Sequence, residues 1–232
     1  MASGIQLTRE DGFGIITAIL LSGSAGAVDI IGYLQFDHVF VANMSGNTVL
    51  FASDLVAQQF SSAISHFLPI ITFLSGVVTA KIVLNRVDER GWSGIGLCLI
   101  LVSGLWTAAA VLIPNLAHLL VPVLSFSMGA QNASLPRMGT IPVNTAFITG
   151  NLEKLGEAIA GLLFNPASGD ERLKMLAMGS IWTAYAVGAA IGALASGLIG
   201  KQALLIPASV LCLSAVLAFV AQIRGSCGTR ST

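Results

Sequence analysis

The sequence predicts an all-α integral membrane protein with six transmembrane helices, arranged as two inverted three-helix repeats that each carry a short re-entrant or half-helix segment. Three observations predict this fold class: long uncharged apolar runs, an uneven distribution of basic residues, and similarity between the two halves of the chain. Of the 232 residues, 55% are hydrophobic and 9% are charged, whereas soluble domains carry about 25% charged residues. The scarcity of charge and the long apolar runs exclude a soluble enzyme, and the net charge of zero leaves no basic surface for a nucleic-acid partner.

The predicted spans follow from the stretches that lack Asp, Glu, Lys and Arg. Three such stretches cover residues 91–136, 175–200 and 202–223. A helix needs about 20 apolar residues to cross a hydrocarbon core of about 30 Å, and Pro114-Asn115 divides the first stretch into a helical hairpin. The six predicted spans lie near 13–35, 66–85, 93–113, 115–136, 173–199 and 202–223.

The basic residues predict the orientation, because Lys and Arg accumulate in cytoplasmic loops. With six spans and a cytoplasmic N-terminus, ten of the eleven basic residues lie inside and only Lys201 lies outside. If the shorter apolar segments near 43–58 and 145–164 also crossed, the basic residues would divide almost evenly between the two sides. We therefore expect six spans, with both termini in the cytoplasm.

The two halves of the chain resemble each other in four segments that occur in the same order. The matched segments are 26–29 with 129–132, 45–47 with 149–151, 72–80 with 184–192, and 97–99 with 211–213. Since each copy contains three spans, the second copy enters the membrane from the opposite face, as in many transporters. The copies occupy about 13–113 and 115–223 of a single membrane domain, 1–232.

The segments near 43–58 and 145–164 are helical in pattern, but they are too short or too polar to be clear spans. Ser45 and Thr149 are good N-cap residues for the two helices. If both segments re-enter the membrane, their N-termini approach the midplane from opposite sides and offer N–H donors that favour an anion or a carboxylate. An interfacial helix and a full crossing are the alternatives.

Asp29 lies within the first predicted span, seventeen uncharged residues after Asp11. An ionisable side chain there costs about 2.5–3.5 kcal/mol on insertion scales and suggests a function, such as binding a cation, relaying a proton or orienting a solute. The alternative is a carboxylate that caps a helix break or bonds to a neighbouring helix. Its counterpart in the second half is the uncharged Asn132, so the two halves are predicted to differ.

The candidate site combines these polar residues of both halves. The predicted substrate-binding residues are Asp29, Asn43, Ser45, Gly46, Asn47, Gln131, Asn132, Thr149, Gly150 and Asn151. The sequence contains no nucleophile–base pair, metal-ligand spacing or nucleotide-binding motif in a plausible context. We therefore expect no enzymatic activity, no cofactor and no metal.

The fifth predicted span carries small residues at every fourth position, which lets another helix approach closely. The residues on this face are Ser180, Ala184, Gly188, Gly192 and Ser196. The close packing is predicted either within one chain or between the chains of a homo-oligomer, and a pore lining is the weaker alternative.

Four motifs resemble the YoaK-like family of small bacterial membrane proteins, which is named for an unknown function. They are Ala-Gly-Ala-Val-Asp at 25–29, Phe-Val-Ala-Asn-Met-Ser-Gly-Asn-Thr-Val at 40–49, Met-Gly-Ala-Gln-Asn-Ala at 128–133 and Phe-Ile-Thr-Gly-Asn-Leu at 147–152. The resemblance implies roughly six spans in a bacterial inner membrane and supplies no substrate. After the Gln-Asn-Ala motif this chain has Arg137 alone, where the family has a pair of basic residues.

The function predicted first is a secondary transporter or channel for a small solute that binds near mid-membrane between the repeats, with an anion favoured by the converging helix starts. The partners are then the lipid bilayer and that small molecule or ion. The alternative is a non-transporting membrane component, an assembly partner or a sensor, whose motifs only hold the fold together. A membrane-embedded enzyme is the weakest hypothesis, because no catalytic constellation is present.

Overall fold

The computed structural model describes residues 9–88, 94–112, 117–134, 137–138, 141–142, 145, 148–166 and 168–228. In these ranges the chain is mostly helical: α1 (Arg9–Gln35), α2 (Met44–Val56), α3 (Phe60–Asp88), α4 (Gly94–Leu112), α5 (Ala117–Ser134), α6 (Ile148–Phe164), α7 (Gly169–Ile199) and α8 (Leu205–Gly228). A 3-10 turn at Gly200–Leu204 joins the last two helices. Two-residue strands, β1 (Arg137–Met138) and β2 (Ile141–Pro142), pair antiparallel before α6.

Each of the six predicted spans overlaps one of these helices, so the helical character of their described residues is confirmed. In the part of the chain that the structure describes, three stretches are long and apolar enough to cross a membrane: Ile15–Gln35, Phe60–Val87 and Gly169–Leu217. The last stretch includes all of α7 and the first half of α8. Gly94–Ala110 is a shorter apolar helix. The structure thus describes an all-helical membrane protein, and six crossings stay a prediction.

The most extensive helix contacts join α1 to α7 and α3 to α5. Both interfaces depend on glycines, which let two backbones come together. A Cβ atom at Gly26 would overlap the backbone carbonyl of Tyr185, and a Cβ atom at Gly129 would overlap the carbonyl of Phe73. Such close approach replaces the hydrophobic driving force that is missing between helices in lipid.

The glycines on the facing helices, α7 and α3, make corresponding contacts as well. A Cβ at Gly188 of α7 would overlap Gly23 of α1, and a Cβ at Gly76 of α3 would overlap Phe126 of α5. In the same way, α2 packs on α3 as α6 packs on α7, and α1 packs on α8 as α5 packs on α4. Each half of the chain therefore places its first long helix against the third helix of the other half.

The small-residue face of α7 is largely covered by α1 of the same chain. Gly188, Gly192 and Ser196 are buried, and a Cβ at Gly192 would contact Ala27 at 2.9 Å. The Ser196 hydroxyl accepts a hydrogen bond of 2.8 Å from Gln35 Nε2. This part of the face therefore packs within one chain, which was one of the two predicted alternatives, and the homo-oligomer stays a prediction.

Candidate functional site

The chain turns back on itself immediately after α1. Asp37 and His38 have φ angles of +50° and +62°, a left-handed conformation that reverses the chain direction. Val39 and Val41 are then 3% and 0% exposed. A Cβ at Gly32 would overlap the Val41 side chain, so the glycine makes room for the returning chain. Segment 36–43 therefore runs back along α1, and apart from the exposed Asp37 and His38 its residues are buried or half-buried.

The returning segment ends at Asp29, which is 3% exposed. Its Oδ1 accepts hydrogen bonds from three successive backbone N–H groups, those of Val41 (2.8 Å), Ala42 (2.6 Å) and Asn43 (3.2 Å). Its Oδ2 accepts one from the Tyr185 hydroxyl of α7 at 2.5 Å. Four donors to one carboxylate are charge-assisted hydrogen bonds and are strong. This is the arrangement expected of a carboxylate that holds a helix break and bonds to a neighbouring helix.

The start of α2 is capped by Asn43 and not by Ser45. Asn43 Oδ1 accepts a hydrogen bond from the Gly46 N–H at 3.3 Å and another from the Ser45 hydroxyl at 2.8 Å. The prediction that Ser45 is the N-cap is therefore wrong, because the helix begins at Met44, two residues before the start that a Ser45 N-cap implies. For the same reason Thr149 lies in the first turn of α6, which begins at Ile148.

Asn47 fastens the returning segment to α2. It is fully buried, its Nδ2 donates to the Phe40 carbonyl at 2.6 Å, and its Oδ1 accepts from the Phe40 N–H at 2.9 Å. A Cβ at Gly46 would lie 2.8 Å from the Phe40 ring. The Gly-Asn motif thus shapes the turn that leads into α2, and both of these residues act through Phe40.

These hydrogen bonds occupy the N–H groups that were expected to bind an anion. The N–H groups at the start of α2 were predicted to be available for a solute, but Val41 to Asn43 donate to Asp29, and Gly46 donates to Asn43. The carboxylate of the protein itself occupies the position where an anion was expected. Residues 143–144 and 146–147, which precede α6, lie outside the described residues.

The second half carries buried polar atoms that have no hydrogen-bond partner among the described residues. They are Ser125 Oγ, Gln131 Oε1, Asn132 Oδ1 and Thr145 Oγ1. Gln131 is fully buried, and its Nε2 donates to the Leu21 carbonyl of α1 at 3.0 Å. Each unpaired atom costs about 1–3 kcal/mol unless something else supplies a partner.

The structure therefore divides the ten predicted site residues into separate groups. In the first group, Asn43 is hydrogen-bonded to Asp29, to Ser45 and to Gly46. Asn47 joins the same group through its bond to Phe40 in the returning segment. Gln131 and Asn132 lie on α5, while Thr149, Gly150 and Asn151 lie in the first turn of α6. Since α2 packs on α3 and α6 packs on α7, the two groups of helix starts rest on different helices.

Tyr185, Ser125 and Thr145 were not among the site residues predicted from the sequence. Tyr185 is 156 residues from Asp29 in the sequence, so no local pattern could connect them. The matched segments 72–80 and 184–192 contained a signal, because they align Tyr185 with Phe73 and so reveal a hydroxyl that occurs in only one of the two copies.

A second polar pair joins α2 to α3. His66 Nδ1 and Asp54 Oδ2 are 2.7 Å apart, with side chains 9% and 15% exposed. His66 Nε2 has no partner among the described residues. In the sequence alignment of the two halves, Asp54 corresponds to Ala158 and His66 corresponds to Met178. Both of these residues are buried. The second half therefore replaces this polar pair by apolar residues.

A groove of about 640 Å³ lies between α1, α7 and α8. It is lined mostly by apolar side chains, and Ser24, Ser180 and Thr183 contribute hydroxyl groups. None of the ten predicted site residues lines it, so it is separate from the candidate site.

Taken together, the apolar helices, their glycine contacts and the buried polar segment define a polytopic α-helical membrane protein. The chain belongs to the family described as "Protein of unknown function (DUF1275)", whose model matches residues 17–217, and the resemblance to the YoaK-like family is confirmed.

Two relatives agree with this assignment. The chain is 32% identical over 152 residues to "UPF0700 transmembrane protein YoaK" of Bacillus subtilis (strain 168), a match that covers 62% of this chain and 67% of the relative. It is 26% identical over 211 residues to "UPF0700 transmembrane protein RA0705" of Rhizobium meliloti (strain 1021), covering 91% of this chain and 88% of the relative. No solved structure matches the chain significantly.

Proposed function

We propose that the protein is a secondary transporter or channel for a small polar solute, which binds near mid-membrane between two inverted halves with six spans in all. The matching glycine contacts support the inverted arrangement, because exchanging the halves converts the Gly26–Tyr185 contact into the Gly129–Phe73 contact. Transporters built in this way bind their solute at the interface between the repeats. The ten basic residues of the predicted cytoplasmic side support an orientation with both termini inside a bacterial inner membrane.

The returning segment supports a re-entrant α2. Segment 36–43 brings the start of α2 back to Asp29, which lies six residues, or about 9 Å of helix, before the end of α1. The helix then continues for 13 residues, or about 20 Å, and ends beside the start of α3. Non-helical backbone at such depth is tolerated where protein or a water-filled cavity covers it.

The observation that carries the proposal is the set of unpaired polar atoms in the second half. Gln131 is fully buried, and its Oε1 has no partner among the described residues. Its Nε2 is bonded to a carbonyl, so rotating the amide group would break one bond without satisfying the other atom. A polar side chain inside a membrane bundle is expensive when it is left unpaired, and a solute or water on a pathway between the halves would supply the missing bond.

The sidedness of the two helix starts tests the proposal. Ser45→Cys and Thr149→Cys are made in a chain whose three native cysteines are replaced by Ala, since both positions are exposed in the structure. A membrane-impermeant maleimide is added to spheroplasts and to inside-out vesicles. We expect Ser45→Cys to react from the outside and Thr149→Cys to react from the inside.

The matched control is Ile71→Cys on α3, a lipid-facing residue that is 46% exposed and that should react from neither side. If Ser45→Cys and Thr149→Cys also fail to react from both sides, there is no aqueous pathway, and the non-transporting membrane component becomes the better hypothesis. If both react from the same side, the halves are not inverted.

A further inference from the structure

Two interfaces of the molecule have matching positions and different bonds. In the α1–α7 interface the Ser22 hydroxyl donates to the Ile181 carbonyl at 2.9 Å, and the Tyr185 hydroxyl donates to Asp29 Oδ2 at 2.5 Å. The sequence alignment of the two halves places Ser125 at the position of Ser22, and Asn132 at that of Asp29. The α3–α5 interface therefore has the same polar positions on α5.

The partners of these polar positions are missing in the α3–α5 interface. Phe73 stands where the other interface has Tyr185, so no hydroxyl is available there. Ser125 Oγ and Asn132 Oδ1 have no hydrogen-bond partner among the described residues. Counted back from the match of 45–47 with 149–151, Thr145 corresponds to Val41, whose N–H donates to Asp29, and the buried Thr145 hydroxyl is also unpaired within the described part of the chain.

The unpaired atoms of Ser125 and Asn132 lie on the side of α5 that faces α3. Ser125, Gly129 and Asn132 have the spacing i, i+4, i+7, which places them on one face of a helix. Gly129 is the residue at which α5 approaches the Phe73 backbone. Ser125 and Asn132 are seven residues apart, or about 10.5 Å along the axis, so they border the same contact with α3.

The chemistry of the position is shown by the other half. Where the chain supplies its own donors, as at Asp29, these are three backbone N–H groups and the hydroxyl of Tyr185. Asn132 Oδ1 is an acceptor, and the hydroxyl groups of Ser125 and Thr145 both accept and donate. A solute carrying N–H or O–H groups can replace the missing Tyr hydroxyl, whereas an anion would meet carbonyl oxygens.

We infer that the solute site lies at the α3–α5 interface, at Ser125, Asn132 and Thr145, and that it takes a small neutral or cationic solute with N–H or O–H donors. The α1–α7 interface is its fixed counterpart, and Asp29 is a positioning residue there. This inference rests on the proposed transport function, because it names where the solute binds and of what chemical class it is.

Matched cysteine variants test the inference. Ser125→Cys and Ser22→Cys are compared in the same chain without native cysteines, since both serines are fully buried and the replacement is nearly isosteric. The reagents are 2-aminoethyl methanethiosulfonate, which carries an ammonium group, and 2-sulfonatoethyl methanethiosulfonate, which is an anion. We expect the ammonium reagent to modify Ser125→Cys about tenfold faster than Ser22→Cys, because reaction needs access to the thiol. We also expect it to outpace the anionic reagent at Ser125→Cys.

A third variant supplies the missing group. Phe73→Tyr places a hydroxyl where Tyr185 stands in the other interface, and it should slow the modification of Ser125→Cys severalfold. If Ser125→Cys does not fold, Asn132→Cys replaces it in the same comparison with Ser22→Cys. A faster reaction of the protein with Phe73→Tyr would contradict the inference.

The remaining outcomes separate this inference from the proposed function. Equal reactivity of Ser22→Cys and Ser125→Cys overturns the assignment to the α3–α5 interface, and faster reaction with the anionic reagent overturns the solute class. If neither serine position reacts while Ser45→Cys and Thr149→Cys do, the proposed pathway stands and the site is elsewhere. If all four positions are silent, both the site and the proposed function fail.

Discussion

The α1–α7 interface and the α3–α5 interface are built on the same backbone contacts but differ in their hydrogen bonds. Gly26 and Gly129 approach the facing helix in the same way. The first interface adds bonds from Ser22, from Tyr185 to Asp29, and between Gln35 and Ser196. The second leaves Ser125 Oγ and Asn132 Oδ1 unpaired among the described residues. One interface is thus fastened by polar bonds, while the other is held by packing.

The difference has a consequence for motion. A neutral hydrogen bond contributes about 0.5–1.5 kcal/mol and a bond to a charged group about 1.5–3 kcal/mol, although hydrogen bonds between membrane helices average nearer 0.6 kcal/mol. Opening the α3–α5 interface therefore costs less free energy than opening the α1–α7 interface. We expect the chain to move at the former and to stay fixed at the latter.

The largest expected effect is that of Asp29→Ala. It leaves the N–H groups of Val41, Ala42 and Asn43 without their acceptor, and each buried donor left unsatisfied costs about 1–3 kcal/mol, so the three together make this the largest loss. The free energy of unfolding in mixed micelles measures the loss. Asn132→Ala, at the matched position, should cost less than about 1 kcal/mol, because Oδ1 has no partner to lose. Equal losses would contradict the comparison.

The next largest effect should be the same in both interfaces. Gly26→Ala and Gly129→Ala each place a Cβ against a backbone carbonyl, and overpacking of this kind costs about 1–3 kcal/mol. Thermal unfolding of the purified protein measures both. Gly104→Ala is the control, since a Cβ there meets no described atom within 4 Å, and it should be neutral or stabilising. If only one of the two interfaces is sensitive, they are not built alike.

Much of the helical architecture could be predicted from the sequence, because it depends on local composition. The uncharged runs place α4, α5 and α8, and Pro114-Asn115 separates α4 from α5. The match of 26–29 with 129–132 also predicts which glycines are equivalent. The start of α2 was placed two residues late, since Asn43 and Ser45 are both good caps and only the folded chain decides between them.

The candidate site could be predicted only in part, because its bonds join distant segments. Asp29 was identified as an unusual residue, but its donors come from the returning segment 36–43 and from Tyr185. The left-handed conformation of Asp37 and His38 directs that segment, and neither residue type demands it. The prediction of an anion rested on free N–H groups at the helix starts. At α2 these groups are not free, because Asp29 and Asn43 of the chain itself accept their hydrogen bonds.

A smaller effect should follow from exchanging one hydroxyl between the interfaces. Tyr185→Phe removes a donor to the Asp29 carboxylate and should cost about 0.6–1.7 kcal/mol, the range of hydrogen bonds between membrane helices. Phe73→Tyr adds a donor opposite Asn132 and should leave stability unchanged or raise it slightly. The unfolding midpoints of the two variants in one detergent measure the difference. Loss of stability in Phe73→Tyr would show that the α3–α5 interface has no room for the hydroxyl.

The smallest net effect is expected when both residues of the Asp54–His66 pair between α2 and α3 are replaced. Asp54→Ala alone leaves His66 Nδ1 unpaired and should cost about 1–3 kcal/mol. The double variant with His66→Met reproduces the apolar residues of the second half and should recover most of that loss, as apolar replacements of polar pairs often do. A double-mutant cycle measures the coupling, and simple additivity would contradict it.

The contrast between the two interfaces is tested most directly by a cryo-EM map of the full-length protein in lipid nanodiscs at a resolution that shows ordered water. We expect density for water or a solute within about 2.7–3.2 Å of Asn132 Oδ1 and Ser125 Oγ, and none beside Asp29 apart from Tyr185 and the N–H groups of 41–43. If α3 supplied both missing bonds directly and the density lay beside Asp29 instead, the assignment of the two interfaces would be reversed.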